Sequence, residues 1–195
     1  FVLALRAIWD CWHNGTRLRF EGDFYTHKLM TPMFVPEPHE YGMPRIFLAA
    51  VGEAMTELCG EVADGILAHA FTTKRYLQEV TIPALLRGMA RAGRSRSDFQ
   101  VSAPLFVVPG HTEEELADRA EATRKQIAFY GSTPAYRKVL ELHGWGDLHT
   151  ELHRLSLAGD WDAMGRLIDD EMLHAFAVVA PVEELAARIR DRCDG

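Results

Sequence analysis

Cysteine is scarce in this chain of 195 residues, with only Cys11, Cys59 and Cys193. An odd, widely spaced set argues against a disulfide framework and a Cys-x-x-Cys metal site, and points to reduced thiols, with Cys11 and Cys59 as small core residues. An excess of positive charge is also missing, because 21 basic residues face 28 acidic ones and the net charge is −7. The densest basic stretch is Arg91, Arg94 and Arg96, too little to recommend nucleic acid or an anionic membrane surface as a partner. No apolar run approaches the ~20 residues of a membrane span, and no charged-then-apolar leader opens the chain. With 48% apolar and 25% charged residues, a globular, cytoplasmic protein is the expectation. Polar punctuation at the ends is lacking too. Phe1-Val2-Leu3-Ala4-Leu5 opens directly in a helical apolar pattern, and Asp194-Gly195 follows a helix, so both ends read as interior to a larger unit.

Within the chain, Val2, Leu5, Ile8, Trp9 and Trp12 recur at helical spacing and predict a helix ending at Asn14-Gly15. From Thr16 to Met43, prolines and glycines interrupt aromatics such as Phe20, Phe24 and Tyr25, which predicts a long irregular connection. Arg45 to Val51 is a nearly continuous apolar run of the kind buried on both faces of a parallel sheet. Gly52 breaks it, and Ala54, Met55, Leu58, Cys59 and Val62 then repeat as a helix. A second strand runs from Gly65 to Phe71, a helix from about Thr73 to Ala92 with Pro83 at a kink, and a third strand from Phe99 to Val108. Strand, helix, strand, helix, strand is the order of a parallel sheet with right-handed crossovers. The rest reads as helices: one capped by Thr112 and running to Tyr130, one from Thr133-Pro134 to His143, others near Asp147 and Asp160, and a last from Pro181 to Cys193.

Two junctions carry candidate chemistry. At Leu48 to Met55 a buried strand turns through Gly52 into a helix, which places backbone N–H groups and the positive end of the helix dipole where a phosphate fits. A tight turn needing positive φ explains Gly52 equally well, and Glu53 would repel an anion set against it. At the end of the second strand, His69, Thr72, Thr73 and Lys74 converge on the face where parallel α/β folds bind ligands. The alternative is a threonine helix cap beside a solvated lysine. His143, His149 and His153 invite a metal, but Glu151 stands in the wrong position for His-Glu-x-x-His, so a solvated helix face is the expectation and no metal is assigned. Asp169-Asp170-Glu171 reads as surface, and no residue is flanked as a nucleophile elbow.

The stretch Pro44 to Gly52, followed by Leu58-Cys59-Gly60-Glu61-Val62-Ala63-Asp64-Gly65, resembles the fifth strand, helix and sixth strand of the bacterial luciferase-like oxidoreductases. Gln126 to Tyr136, with Phe129-Tyr130-Gly131-Ser132-Thr133-Pro134-Ala135-Tyr136, and then His143-Gly144-Trp145, is similar to the subgroup that depends on the deazaflavin coenzyme F420. The resemblance implies a partial (β/α)₈ TIM barrel with the fifth to seventh strands and a helical excursion. On that reading residues 1–195 are the C-terminal portion of one domain, whose N-terminal half and last strand lie outside the chain. It implies F420 as cofactor, with FMN as the alternative, bound along Val51, Gly52 and Met55. Relatives often carry a hydroxyl where this chain has Val51, which leaves backbone donors alone to hold a phosphate. A small organic substrate is implied at His69, Thr72 and Lys74, and hydride transfer as the chemistry. The alternatives are an FMN-dependent monooxygenase and a non-catalytic ligand-binding or interaction barrel. No catalytic residue is assigned, since those facing the reactive ring belong to the first half, and the isolated segment is expected to be inactive. Family members commonly form homo-oligomers, so part of the aromatic surface of Phe129, Tyr136, Trp145 and Trp161 is expected at a subunit interface, the alternative being packing against the absent strands.

Overall fold

The computed structural model describes residues 1–194. Helix α1 (Val2–Asn14) ends at Gly15, whose φ of 65° is the left-handed conformation that glycine adopts without strain. Its Arg6 donates to the Val62 carbonyl at 3.0 Å and to the Asp64 carboxylate at 2.8 Å. Asp64 also accepts the Ile46 N–H at 2.8 Å, so one carboxylate ties α1 to the starts of two strands. Burial alone would raise the Asp64 carboxyl, but the Arg6 hydrogen bond, the Ile46 N–H and the charges of Arg6 and Arg94 together hold it below the usual carboxylate range. The connection after α1 is less irregular than expected. Strands β1 (Phe20–Glu21) and β2 (Thr26–His27) form a short antiparallel hairpin within it, and Pro32–Phe34 makes a 3₁₀ turn.

The next segment follows the predicted alternation. Strand β3 (Phe47–Ala50), helix α2 (Glu53–Val62) and strand β4 (Gly65–Ala68) lead into α3 (Lys74–Tyr76), a π-helical turn over Leu77–Thr81, and α4 (Ile82–Arg91). The wide turn sits just ahead of Pro83, which has no N–H to donate and whose ring crowds the preceding turn. Strand β5 (Gln100–Ser102) completes a parallel sheet in the order β3-β4-β5, with Leu48 opposite Ile66 and Ile66 opposite Val101. Its core is Ala50, Cys59, Ala63, Ile66, Leu85, Met89 and Phe99. Helices α2 and α4 touch backbone to backbone. A Cβ on Gly88 would lie 1.9 Å from the Glu57 carbonyl oxygen, and one on Gly60 would lie 2.3 Å from that of Leu85.

The expected third strand is divided. After β5 the chain passes through Ala103-Pro104-Leu105 and starts again as β6 (Phe106–Gly110), which pairs in parallel with an unexpected strand, β7 (Ala177–Pro181), with Val108 opposite Val179. Pro104 cannot donate to a ladder, so the break falls there and the two halves serve different partners. Between β6 and β7 lie α5 (Glu113–Gly131), α6 (Arg137–Leu142), α7 (Gly146–Ala158), α8 (Trp161–Arg166) and α9 (Asp170–Phe176). Thr112 caps α5 by accepting the Glu115 N–H at 3.2 Å. These helices and β6–β7 enclose a second core that includes Val108, Ile127, Leu140, Leu152, Met164 and Phe176. The last helix, α10 (Leu185–Cys193), begins four residues after Pro181 rather than at it, because Pro181 is the end of β7. Among the described residues no helix is long and apolar enough to cross a membrane. Cys11 and Cys59 are buried, and Cys193 is exposed.

Candidate functional site

The site lies at the carboxyl ends of β3 and β4. Gly52 stands at the N-terminus of α2 with φ −97° and ψ 159°, extended backbone that any residue adopts, so the tight-turn explanation for this glycine is corrected. Neither does packing require it, since a Cβ there would meet nothing within 4 Å. The glycine leaves open space in front of the first-turn N–H groups, which have no acceptor within the helix. Glu53 carries its carboxylate to Arg87 at 3.1 Å, with Lys138 at 3.8 Å, so its charge is offset by two cations. Met55 is partly exposed on the same first turn.

Val51 contributes to a crevice of about 20 Å³, room for about one water molecule, whose wall includes Ala50, His69, Phe71, Thr72 and Tyr76. The Thr72 Oγ1 atom is buried there without a hydrogen-bond partner among the described residues. His69 accepts the Phe71 N–H through Nδ1 at 3.0 Å, which places the hydrogen of the neutral ring on Nε2. Burial pushes its pKa below the ordinary histidine value, so the neutral form is favoured.

The other two candidates serve structure. Thr73 caps the helix after β4: its Oγ1 accepts the Tyr76 N–H at 3.0 Å and lies 2.8 Å from His143 Nε2. Burial, together with the nearby Arg75, lowers the His143 pKa, and its ring stacks on Trp145 at 4.5 Å. Lys74 donates to the main-chain carbonyls of Asp191, at 3.2 Å, and Asp194, so its charge is directed to the end of α10.

Sequence reasoning missed two site residues that lie in the quoted aromatic motif. Tyr136 stacks on His69 at 4.6 Å between ring centroids, and Tyr130 meets it edge-on at 4.8 Å. The two tyrosines are perpendicular to each other at 6.1 Å, so the three rings form a triangle over the end of β4. The histidines read as a solvated face are also corrected. His149 is buried and bonded through Nδ1 to the Gly131 carbonyl at 2.8 Å, while His153 reaches that of Ser132 at 3.0 Å. Both fix the turn that leads from Tyr130 to Tyr136. Among the described residues no group of three or more His, Cys, Asp or Glu side chains is placed to hold a metal ion. Of the aromatics expected at an interface, Tyr136 and Trp145 pack against the second core, while Phe129 and Trp161 remain half exposed, 6.2 Å apart.

Parallel strands alternating with helices, with an open helix N-terminus and a small crevice at their carboxyl ends, define an α/β fold of the barrel type, a class in which ligand sites lie at that end. The chain belongs to the luciferase-like monooxygenase family, which matches it over residues 1–194. An uncharacterized protein of Mycobacterium tuberculosis is 68% identical over 195 residues, which is 100% of this chain and 57% of the relative. The 5,10-methylenetetrahydromethanopterin reductase of Archaeoglobus fulgidus is 27% identical over 185 residues, 91% of this chain and 52% of that protein. Among solved structures, the coenzyme F420 dependent tetrahydromethanopterin reductase of Methanopyrus kandleri superposes with a TM-score of 0.73 at 22% identity, covering 98% of this chain and 53% of that one. The fold is a partial (β/α)₈ barrel whose sheet does not close among the described residues. The chain spans about half the length of the relatives it matches.

Proposed function

We propose that this chain is the part of an F420-dependent oxidoreductase that holds the coenzyme's phosphate-bearing tail and one side of an organic substrate. The observation that carries the reading is Gly52: neither its backbone nor its neighbours require glycine, yet it keeps the space before the N-terminus of α2 clear. An anion fits there, because N–H groups and the helix dipole favour negative charge and the Glu53 carboxylate is paired with Arg87 and Lys138. Family membership and the likeness to a methanopterin reductase support the same assignment.

When bound, the deazaflavin supplies a ring that accepts or donates a hydride. Val51, Gly52 and Met55 would hold the tail, with Met55 as an apolar contact beside the backbone donors. His69 Nε2–H and the Thr72 hydroxyl would hold the substrate oxygen, while Tyr130 and Tyr136 would shield it from water. Lys74, whose ammonium is bonded to main-chain carbonyls at the end of α10, lines a neighbouring cavity together with Thr72.

The test is titration of the protein with F420, followed by the change in deazaflavin absorbance. Binding is expected, and substitution of Gly52 by valine should weaken it; absence of binding at high protein concentration overturns the reading. Oxygen consumption coupled to reduced FMN would instead indicate the monooxygenase alternative.

A further inference from the structure

We propose that the cavity bounded by the π-helical turn after α3, the connection between β5 and β6 and the end of α10 is a second ligand site, which takes a small organic dianion such as an organic phosphate. The cavity measures about 340 Å³, within the ~300–1,000 Å³ usual for small-ligand sites. It is separate from the site assigned to coenzyme and substrate and shares only Thr72 with the crevice there, so the proposal does not depend on the oxidoreductase reading. Its first support is charge. Lys74, Arg96 and Arg192 line the cavity, and no carboxylate is among its described lining side chains, in a chain whose net charge is −7. All three cations spend their hydrogen bonds on main-chain carbonyls. Lys74 donates to Asp191 at 3.2 Å and to Asp194, Arg96 to Phe99, and Arg192 to His174 at 3.4 Å and to Ala175. A carbonyl oxygen carries only a partial charge, so positive charge gathers at one cavity without a counter-ion.

The second support is the donors that remain. An ammonium has three N–H groups and a guanidinium five, so after these carbonyl bonds each of the three side chains keeps at least one to offer. The bonds to the main chain also hold Lys74 and Arg192 in place, which lowers the entropy lost when a ligand is gripped. Burial pulls the Arg192 pKa below its ordinary value, the sign of a charge short of solvation that an anion would restore. Thr72 Oγ1, on the wall shared with the crevice, is buried without a partner. The third support is the remaining wall. Leu77, Ile82, Val101 and Leu105 give it an apolar side, so the anionic group that the cations select has a carbon body attached. A doubly charged phosphate oxygen cluster accepts from several cations at once, whereas a monocarboxylate has fewer acceptor sites and half the charge.

Calorimetric titration with phenyl phosphate and with phenol, which share a ring and differ in the dianion, tests the proposal. Phenyl phosphate is expected to bind and phenol to bind at least ~10-fold more weakly, the factor that corresponds to one hydrogen bond between charged groups. Arg192→Gln should weaken phenyl phosphate ~10-fold or more. Since that variant also loses the ties to α9, Arg96→Gln, on an exposed turn, gives the same readout should the first fail to fold. Gly52→Val should leave the affinity unchanged. Cys193 lines the same cavity, so saturating phenyl phosphate should slow its alkylation by neutral iodoacetamide while phenol does not. The proposal is overturned by no binding of phenyl phosphate, equal binding of phenol, unchanged affinity in the folded cation variants, loss of binding in Gly52→Val, or an unchanged Cys193 rate. Displacement of phenyl phosphate by F420 also overturns it, since the cavity would then belong to the coenzyme. A protein that binds phenyl phosphate in this way but takes up no F420 leaves the second site standing and overturns the oxidoreductase reading alone.

Discussion

Substituting Gly88 by alanine offers a sharp test of how α2 and α4 pack. In an exposed helix, Gly→Ala is stabilising by about 1 kcal/mol because alanine restricts the unfolded chain and favours the helix. Here the added Cβ would stand 1.9 Å from the Glu57 carbonyl oxygen and 2.8 Å from its carbon, about 1.5 Å short of ordinary contact. The opposing atoms belong to a helix backbone, so no side-chain rotation relieves the overlap. Overpacking of this kind costs about 1–3 kcal/mol. Moving the helices apart also loosens Cys59, Leu85 and Met89, each 2% exposed or less, and gives up a further ~1–2 kcal/mol of burial. After the propensity gain the net loss is about 1–4 kcal/mol. At ~2–4 °C per kcal/mol for a chain of this length, the thermal midpoint should fall by about 2–16 °C. Urea unfolding should show a lower midpoint at unchanged slope. A G88A protein as stable as the parent, or more stable, would refute the backbone contact.

Four other outcomes follow from particular residues. Gly52→Ala should change stability by no more than ~0.5 kcal/mol, since its Cβ meets open space, while reducing F420 affinity; equal affinity would count against the anion site. Asp64→Asn should destabilise by about 1–2 kcal/mol at neutral pH. Because the folded-state pKa of Asp64 is depressed, its contribution is complete above the unfolded value of ~3.9 and is lost as pH falls through the lower folded value, so the variant should lose less stability on acidification. His69 and His143 are held neutral, their stabilising effect being present above the unfolded value of ~6.5 and lost as pH falls toward the lower folded values; urea midpoints should decline from pH 7 to 5, and less steeply in H143Q. Cys193 should react with iodoacetamide in the native protein while Cys59, buried with its thiol pushed up to about 11, reacts only on unfolding, as mass spectrometry would show.

The sequence carries the β3–α2–β4 unit clearly because its strands are continuous apolar runs and its helix keeps a clean period. It carries β6 and β7 poorly. Phe99 to Val108 reads as one strand unless Pro104 is given the weight its missing N–H deserves, and Ala177 to Pro181 is a short apolar run hidden between helices, with a proline that also suits a helix start. His149 misleads because its spacing to His153 suggests a surface pair, whereas Leu148, Leu152 and Leu155 show which side of α7 turns inward. At the site, His69, Thr72 and Gly52 are legible as residues of the strand ends. That Lys74 turns toward α10 and that Tyr130 and Tyr136 pack on His69 depends on contacts between segments about 60 to 120 residues apart, which no local pattern encodes.

The two cores give the molecule a seam. Phe71, three residues after β4, belongs to the second core, where it stacks on Phe176 at 4.5 Å, while Ile66 of the strand it follows belongs to the first. With the Thr73–His143 contact it forms a rivet between two cooperative units. The crevice is lined from both sides, by Ala50 of the first core and by Phe71, Tyr76 and Val139 of the second, so slackening of the rivet would widen it while leaving the sheet intact. Hydrogen exchange would register this as earlier opening around Tyr130 to Tyr136 than in β3 and β4, and entry of a substrate would then follow the fluctuations of the helices rather than those of the barrel.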